Sequence, residues 1–247
     1  MKTILITGCS SGFGLETVRY FVDRDWTVIA TMRTPREDVL PSSKNVRVLA
    51  LDVTDPDSIH QAIEAAGPID ALVNNAGVGA AAPFEVMPMS TIHDVFETNL
   101  YGTMAVTQAV LPQLRERRGG VVVNVTSSVT LRALPLVAAY TASKAAVNAF
   151  TESMALEVAQ FGIRAHIVLP GRAPETRFAE NGSSRMRGLD HEAYADLVKG
   201  FMARFSLPGP VTHSRDVAEA VWRAVNDPSS PVRIPAGADA VAWAEAS

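Results

Sequence analysis

The chain has 247 residues, of which 47% are apolar and 19% charged, with a formal net charge of -4. That length and apolar content can fill one substantial core, no shift in composition marks a second domain, and the acidic balance speaks against nucleic acid as a partner. A single cysteine, Cys9, allows no internal disulfide, no apolar run of about 20 residues could span a bilayer, and the short stretch Met1 to Thr7 is no secretion signal, so the cytoplasm is the expected location.

In chain order, Thr3 to Thr7 is the first of several β-branched runs that read as buried strands. It passes into Thr7-Gly8-Cys9-Ser10-Ser11-Gly12-Phe13-Gly14 and then into a helical pattern over Leu15 to Arg24. Glycines between a strand and a helix let backbone N–H groups approach a pyrophosphate, which makes Gly8, Ser10, Ser11, Gly12, Phe13 and Gly14 candidate dinucleotide-binding residues. Their spacing, Gly-x-x-x-Gly-x-Gly, departs from the commoner Gly-x-Gly-x-x-Gly, and a plain tight turn would look similar. Cys9 reads as a packing residue. The second strand, Thr27 to Thr31, ends in Thr31-Met32-Arg33, where a site for NAD would offer an acid to the ribose. A guanidinium can instead pair with a 2′-phosphate, so Arg33 points to NADP(H) over NAD(H). After the third strand, Val46 to Ala50, come Leu51-Asp52-Val53, with Asp52 placed for the adenine amino group and Asp55 or Thr54 better placed to cap the helix Asp57 to Ala66.

The fourth strand, Ala71 to Asn74, leads to Asn74-Asn75-Ala76-Gly77, where small residues leave room for a ribose and amides can bind backbone groups. Within the long helical interval Ser90 to Arg117, Asn99 is polar amid Phe96, Leu100 and Val106, and could both distort the helix and position a water. The fifth strand, Val121 to Thr126, precedes Ser127 and Ser128. A helix over Ser143 to Phe161, a sixth strand over Arg164 to Leu169 and a last helix over Ser214 to Asn226 complete the alternation, which implies a doubly wound α/β parallel sheet of Rossmann type in a single domain. The rhythm breaks between Pro170 and Pro210, with a short helix expected from His191 to Phe205, and an excursion of that length is usually functional. Histidines 60, 93, 166, 191 and 213 have no metal-ligand spacing, and Glu157 and Arg164 read as a solvated helix end.

Tyr140-Thr141-Ala142-Ser143-Lys144 sets a phenol and an ammonium four residues apart, on one face if the stretch is helical, with Ser127 thirteen positions upstream. A neighbouring ammonium favours the phenolate, so a group with an ordinary pKa of about 10 can exchange protons near neutrality.

Taken together, Thr-Gly-x-x-x-Gly-x-Gly, Asn-Asn-Ala-Gly, Asn99, Ser127, Tyr-x-x-x-Lys and Pro170-Gly171 stand in the order and spacing of the single-domain short-chain dehydrogenase/reductases, and the chain resembles that family over nearly its whole length. The resemblance implies a catalytic set of Asn99, Ser127, Tyr140 and Lys144. In it Tyr140 protonates the carbonyl oxygen, Ser127 hydrogen-bonds that oxygen, Lys144 holds the nicotinamide ribose and depresses the Tyr140 pKa, and Asn99 anchors a water. Ser128 is the rival to Ser127, but the offset to Tyr140 favours Ser127. Pro170, Gly171 and Thr176 resemble the segment that closes over the nicotinamide carboxamide. Two departures stand out: Thr176 lies five residues past Gly171 where the family usually has four, and Thr130 replaces a frequent glycine and could narrow the site. The details resemble the branch with hydroxysteroid and retinol dehydrogenases and bacterial ketone reductases. That implies a bulky apolar carbonyl or alcohol as substrate, with Val129, Leu134, Leu136, Val137, Phe178, Phe201 and Phe205 as candidate pocket residues and Ala80 to Ala82 leaving a roomy entrance. The family also implies a homodimer or homotetramer through the helices after Tyr101 and Ser143. The expected activity is NADPH-dependent carbonyl reduction. The alternatives are an NAD-dependent dehydrogenase working oxidatively and a dinucleotide sensor without turnover.

Overall fold

In the first strand, β1 (Thr3–Ile6), Ile4 and Ile6 pack into one core and Leu5 into another, and all three are fully buried. Successive side chains of a strand point to opposite faces, so an apolar run without alternation needs cover on both sides. The computed structural model of the protein describes residues 1–205 and 207–246; the side chains of residues 179, 184, 204 and 205, among them the pocket candidate Phe205, lie outside that description.

Among the described residues β1 is joined by β2 (Thr27–Met32), β3 (Val46–Ala50), β4 (Ala71–Asn74), β5 (Gly120–Val125), β6 (Ile163–Pro170) and β7 (Arg233–Ala236) in one parallel sheet of order 3-2-1-4-5-6-7. The helices are α1 (Gly12–Val22), α2 (Pro56–Ala66), α3 (Met89–Phe96), α4 (Gly102–Glu116), α5 (Ala138–Val158), α6 (Phe178–Gly182), α7 (Ala195–Phe205), α8 (Ser214–Asn226) and α9 (Ala238–Glu245). Helices α1 and α8 cover one face, where Phe21, Trp26 and Trp222 meet edge to face; α2, α4 and α5 cover the other. The doubly wound Rossmann-type α/β fold expected from the sequence is the fold observed.

Four differences matter for the site. Helix α1 begins at Gly12 instead of Leu15, so the last two glycines of the loop are helical. Helix α5 begins at Ala138 instead of Ser143, which puts Tyr140 in its first turn. The interval expected as one helix is α3 and α4 joined by a π turn over Glu97–Tyr101 with Asn99 inside it, so the distortion expected at Asn99 is present. Strand β7 and helix α9 were not expected. Strand β7 contains Pro235, which a sheet tolerates at its edge, and β6 is its sole recorded neighbour in the strand order.

Candidate active site

Strand order reverses between β1 and β4, so the loops leaving their carboxyl ends diverge and open a crevice. The two exits are laced together. The Thr7 hydroxyl accepts from the Asn75 and Ala76 N–H groups at 3.0 and 2.9 Å, and the Asn75 amide donates to the Thr7 and Gly8 carbonyls at 2.9 and 3.1 Å. Gly8 and Gly12 have φ of +73° and +55°, a region that L side chains rarely adopt. The N-cap of α1, Ser11, makes no side-chain cap, so no side chain of the cap takes up the first N–H groups of the helix, whose opening residues Gly12 and Phe13 border the crevice.

Gly8, Ser10, Ser11, Gly12, Phe13, Arg33, Asp52, Val53, Asn75, Ala76, Gly77, Tyr140, Lys144 and Thr176 border one cleft of about 600 Å³. Gly14, Asn99, Ser127, Pro170 and Gly171 are not on its wall. Gly14 acts from behind: a Cβ there would overlap the Gly8 carbonyl oxygen, so its bareness sets how closely α1 approaches the loop. Gly171 faces Thr212 and Asp239 instead of the cleft. At the other end, burial pushes the Asp52 pKa up, but the two hydrogen bonds from Thr54 and the charge of Arg33 outweigh it and leave the carboxyl below its ordinary value. As expected, Asp55 caps α2, accepting from the Asp57 N–H at 3.0 Å. Cys9 is a packing residue, its thiol pushed up to about 12 by burial.

Ser127, Tyr140 and Lys144 converge where β5 meets α5. The Tyr140 phenol hydrogen-bonds the Ser127 side chain, and the Lys144 ammonium donates to the Val125 carbonyl at 3.0 Å. Asn99 reaches the cluster from the π turn. Its amide oxygen accepts from the Val78 N–H at 2.8 Å, while its NH₂ donates to the Val78 carbonyl at 2.9 Å and to Ser143 Oγ at 3.1 Å. That makes the side chain a clamp on the backbone after Gly77, where an added Cβ would stand 3.2 Å from Asn99 Oδ1 and 3.3 Å from Lys144 Nζ.

The depression of the Tyr140 pKa by Lys144 is not what sets this phenol. Burial pushes it up to about 12 against the downward pull of the Ser127 hydrogen bond, and burial pushes Lys144 down to about 8. These shifts fix a sign for stability. Folded Lys144 holds its proton less tightly than an unfolded lysine at 10.5, so folding releases a proton in between and stability rises with pH from about 8 upward. Tyr140 works the other way, but only above its unfolded value of 10. Denaturant titrations should therefore show wild type gaining up to about 2 kcal/mol more than Lys144→Met between pH 8 and pH 10. Identical pH profiles would remove the case for a depressed Lys144.

The excursion after β6 folds back over the cleft. Thr176 lies on Gly12, with its methyl 3.5 Å from where a Cβ would stand, and borders the cleft. Phe178 rests on Gly79 and tilts against Tyr140 with ring centroids 5.6 Å apart. Arg177, Asn181 and Arg185 also reach the cleft wall, and nothing in the sequence separated them from other loop polar residues. Tyr194 hydrogen-bonds Glu85 and so latches the excursion to the loop after β4. Thr130 does not narrow the cleft wall; its hydroxyl donates to the Ser127 carbonyl at 2.9 Å and accepts from Asn148 at 3.0 Å. A second cavity of about 490 Å³ is lined by Leu134, Pro135, Leu197, Phe201 and Trp243 with Arg172 and Asp239. It unites two of the expected pocket residues, Leu134 and Phe201, whereas Phe178 borders the first cleft and Val129, Leu136 and Val137 border neither. Arg164 is no solvated helix end: from β6 it donates to the Ala224, Val225 and Asp227 carbonyls and closes the end of α8.

A Rossmann-type sheet with a buried tyrosine, serine and lysine gathered beside its topological switch point is the architecture of an oxidoreductase. The profile of the short chain dehydrogenase family matches residues 2–186. A 3-ketodihydrosphingosine reductase of Bacteroides thetaiotaomicron is 36% identical over 199 residues, which cover 79% of this chain and 72% of the relative. A solved short-chain dehydrogenase from Streptomyces avermitilis superposes with a TM-score of 0.84 at 33% identity, over 99% of this chain and 91% of the other. Another from Burkholderia cenocepacia, in complex with NADP, does so with a TM-score of 0.79 at 26% identity, over 99% and 93%. The chain belongs to the short-chain dehydrogenase/reductase family and is an oxidoreductase of that type. No helix among the described residues is long and apolar enough to cross a membrane.

Proposed function

We propose that the protein is an NADPH-dependent carbonyl reductase, reversible to alcohol oxidation, acting on a hydrophobic ketone or aldehyde. The observation that carries this reading is Tyr140 and Lys144, one turn of α5 apart, both buried and both on the wall of the glycine-lined cleft, with Ser127 beside the phenol. A dinucleotide fits the residues present: the bare N-terminus of α1 and the left-handed glycines suit its pyrophosphate, Asp52 and Val53 its adenine, and Arg33 a 2′-phosphate. NADP in the Burkholderia relative supports the same choice. When bound, the cofactor supplies the hydride.

The chain's own groups manage the proton. With its pKa raised, Tyr140 stays protonated at neutral pH and can donate its phenolic proton to the carbonyl oxygen, while the Ser127 hydroxyl stabilises the charge gathering there. Lys144 orients the nicotinamide ribose and adds positive charge next to the phenol. Asn99 holds the Val78 backbone and the Ser143 hydroxyl beside them, and a water kept nearby would return protons from solvent. The apolar cavity between α7, α9 and Leu134 supports a bulky hydrophobic substituent on the substrate, and a 3-ketodihydrosphingosine reductase among the relatives is in keeping with it. Exposed Tyr101, Met104 and Leu156 on the π turn, α4 and α5 support pairing of copies through these helices. The cytoplasm is the location we infer.

The test is NADPH consumption with a panel of steroids, aryl ketones and retinoids. A preference for NADH would overturn the cofactor assignment. Arg33→Asp removes a charge-assisted contact and adds repulsion, so KM for NADPH should rise about 10- to 100-fold while KM for NADH moves little. Equal losses with both cofactors would make Arg33 structural.

A further inference from the structure

A buried polar knot behind the cleft plays no part in the proton chemistry. The Asp239 carboxylate, at the start of α9 and 9% exposed, accepts from the Arg172 N–H at 2.6 Å and from the Thr212 hydroxyl at 2.7 Å. Thr212 is fully buried. Its oxygen accepts from the Gly171 N–H at 2.8 Å and lies 2.8 Å from the Ala236 carbonyl, and its N–H donates to the Arg172 carbonyl at 2.8 Å. A Cβ on Gly171 would overlap both Asp239 carboxylate oxygens, so carboxylate and bare Cα are in direct contact. A carboxylate is costly to bury, and here its hydrogen bonds come from the Arg172 N–H just past β6 and from the Thr212 hydroxyl, which in turn accepts from Gly171.

Three residues on, the same segment is tied again. Glu175 accepts from the Ser214 N–H at 2.6 Å and pairs with His213 at 3.1 Å, and the next residue, Thr176, comes to rest on Gly12. Residues 171 to 176 thus bridge the carboxyl edge of the sheet and the glycine loop, suspended from residues 212 to 214 and from Asp239. The adenosine end of the cleft, at Arg33, Asp52 and Val53, has no contact with this suspension in the hydrogen bonds described.

We propose that Asp239 is a positioning residue for the nicotinamide half of the bound dinucleotide: through Gly171, Arg172 and Thr212 it fixes the backbone that runs to Thr176, Arg177 and Phe178, which border the cleft, Phe178 against Tyr140. This rests on the reading of the cleft as an NADP(H) site. The knot makes no demand for charge. An asparagine at 239 could accept from Arg172 through its oxygen and donate to Thr212, whose own proton would then go to the Ala236 carbonyl.

The test compares two ligands by calorimetry on the full chain: NADPH, and adenosine 2′,5′-bisphosphate, which reports the adenosine half alone. In Asp239→Ala and in Thr212→Val the Kd of NADPH should rise about tenfold or more, with that of the bisphosphate within about twofold of wild type. Asp239→Asn should stay within about threefold for both ligands. Parallel weakening of both ligands, unchanged NADPH binding in the first two variants, or an Asp239→Asn as impaired as Asp239→Ala would each overturn the proposal. So would a failure of both Asp239→Ala and Thr212→Val to fold, because the knot would then serve folding alone. If wild type bound neither ligand, the cofactor reading itself would fall, a result distinct from all of these.

Discussion

Carbonyl reduction by Tyr140→Phe should be about 10²- to 10⁴-fold slower than by wild type, with NADPH affinity unchanged. The substitution isolates the hydroxyl. The Tyr140 ring is buried in the first turn of α5 and packs against Phe178, so a phenyl ring fills the same space and leaves no cavity. Ser127 loses one partner but still accepts from the Val129 N–H at 3.3 Å, and loss of one hydrogen bond should cost about 1 kcal/mol of stability. Single-turnover rates together with NADPH titration separate the outcomes. Near wild-type reduction would remove Tyr140 from the mechanism, whereas joint loss of binding and turnover would show that the hydroxyl shapes the cleft and does not donate the proton.

The second large effect is structural. Gly14→Ala should destabilise the fold by about 3 kcal/mol or more, although alanine is ordinarily the better helix residue by up to about 1 kcal/mol. Gly14 lies inside α1, and a Cβ there would overlap the Gly8 carbonyl oxygen and stand 2.6 Å from the Asn75 amide nitrogen. Neither neighbour can yield cheaply. Gly8 is a turn residue at positive φ, and the Asn75 amide is bonded to the Thr7 and Gly8 carbonyls, so relief would pull β1 and β4 exits apart. Gly119→Ala is the control, since a Cβ there meets nothing within 4 Å. Urea unfolding of the two variants should differ in midpoint, and equal midpoints would mean that helix α1 can retreat from the loop at little cost.

What could be read beforehand follows from local signals. Strands β1 to β6 announced themselves as β-branched apolar runs because both faces of the sheet are covered, and the glycine loop, Asn75 and the Tyr140–Lys144 pair followed from spacing along single elements. Strand β7 did not, since Arg233-Ile-Pro-Ala is short and carries a proline that only its edge position permits. The start of α5 was read too late because Val137, Ala138 and Ala139 offer no capping side chain, and the first turn is held by burial of Ala139 and Tyr140 instead. Thr176 was assigned from the family resemblance alone, and its seat on Gly12 follows from where Glu175 is tied, nearly 40 residues away in sequence. Arg164 and Asp239 were opaque for the same reason: each is defined by partners across the fold. The shifted pKa of Tyr140 comes from burial, which no tyrosine-lysine spacing reports.

The π turn at Glu97–Tyr101 works as a phase shifter. Were those five residues wound as ordinary α-helix, everything beyond them would be rotated by about 100° about the helix axis. The stripe of Val106, Val110 and Leu114 would then leave the sheet, while Thr91 and Val95 stayed on the α5 side. One extra residue per turn lets a single continuous rod serve two partners that lie in different directions. Asn99, at the centre of that turn, is therefore carried to the backbone beside Lys144 by the same turn that aligns the core.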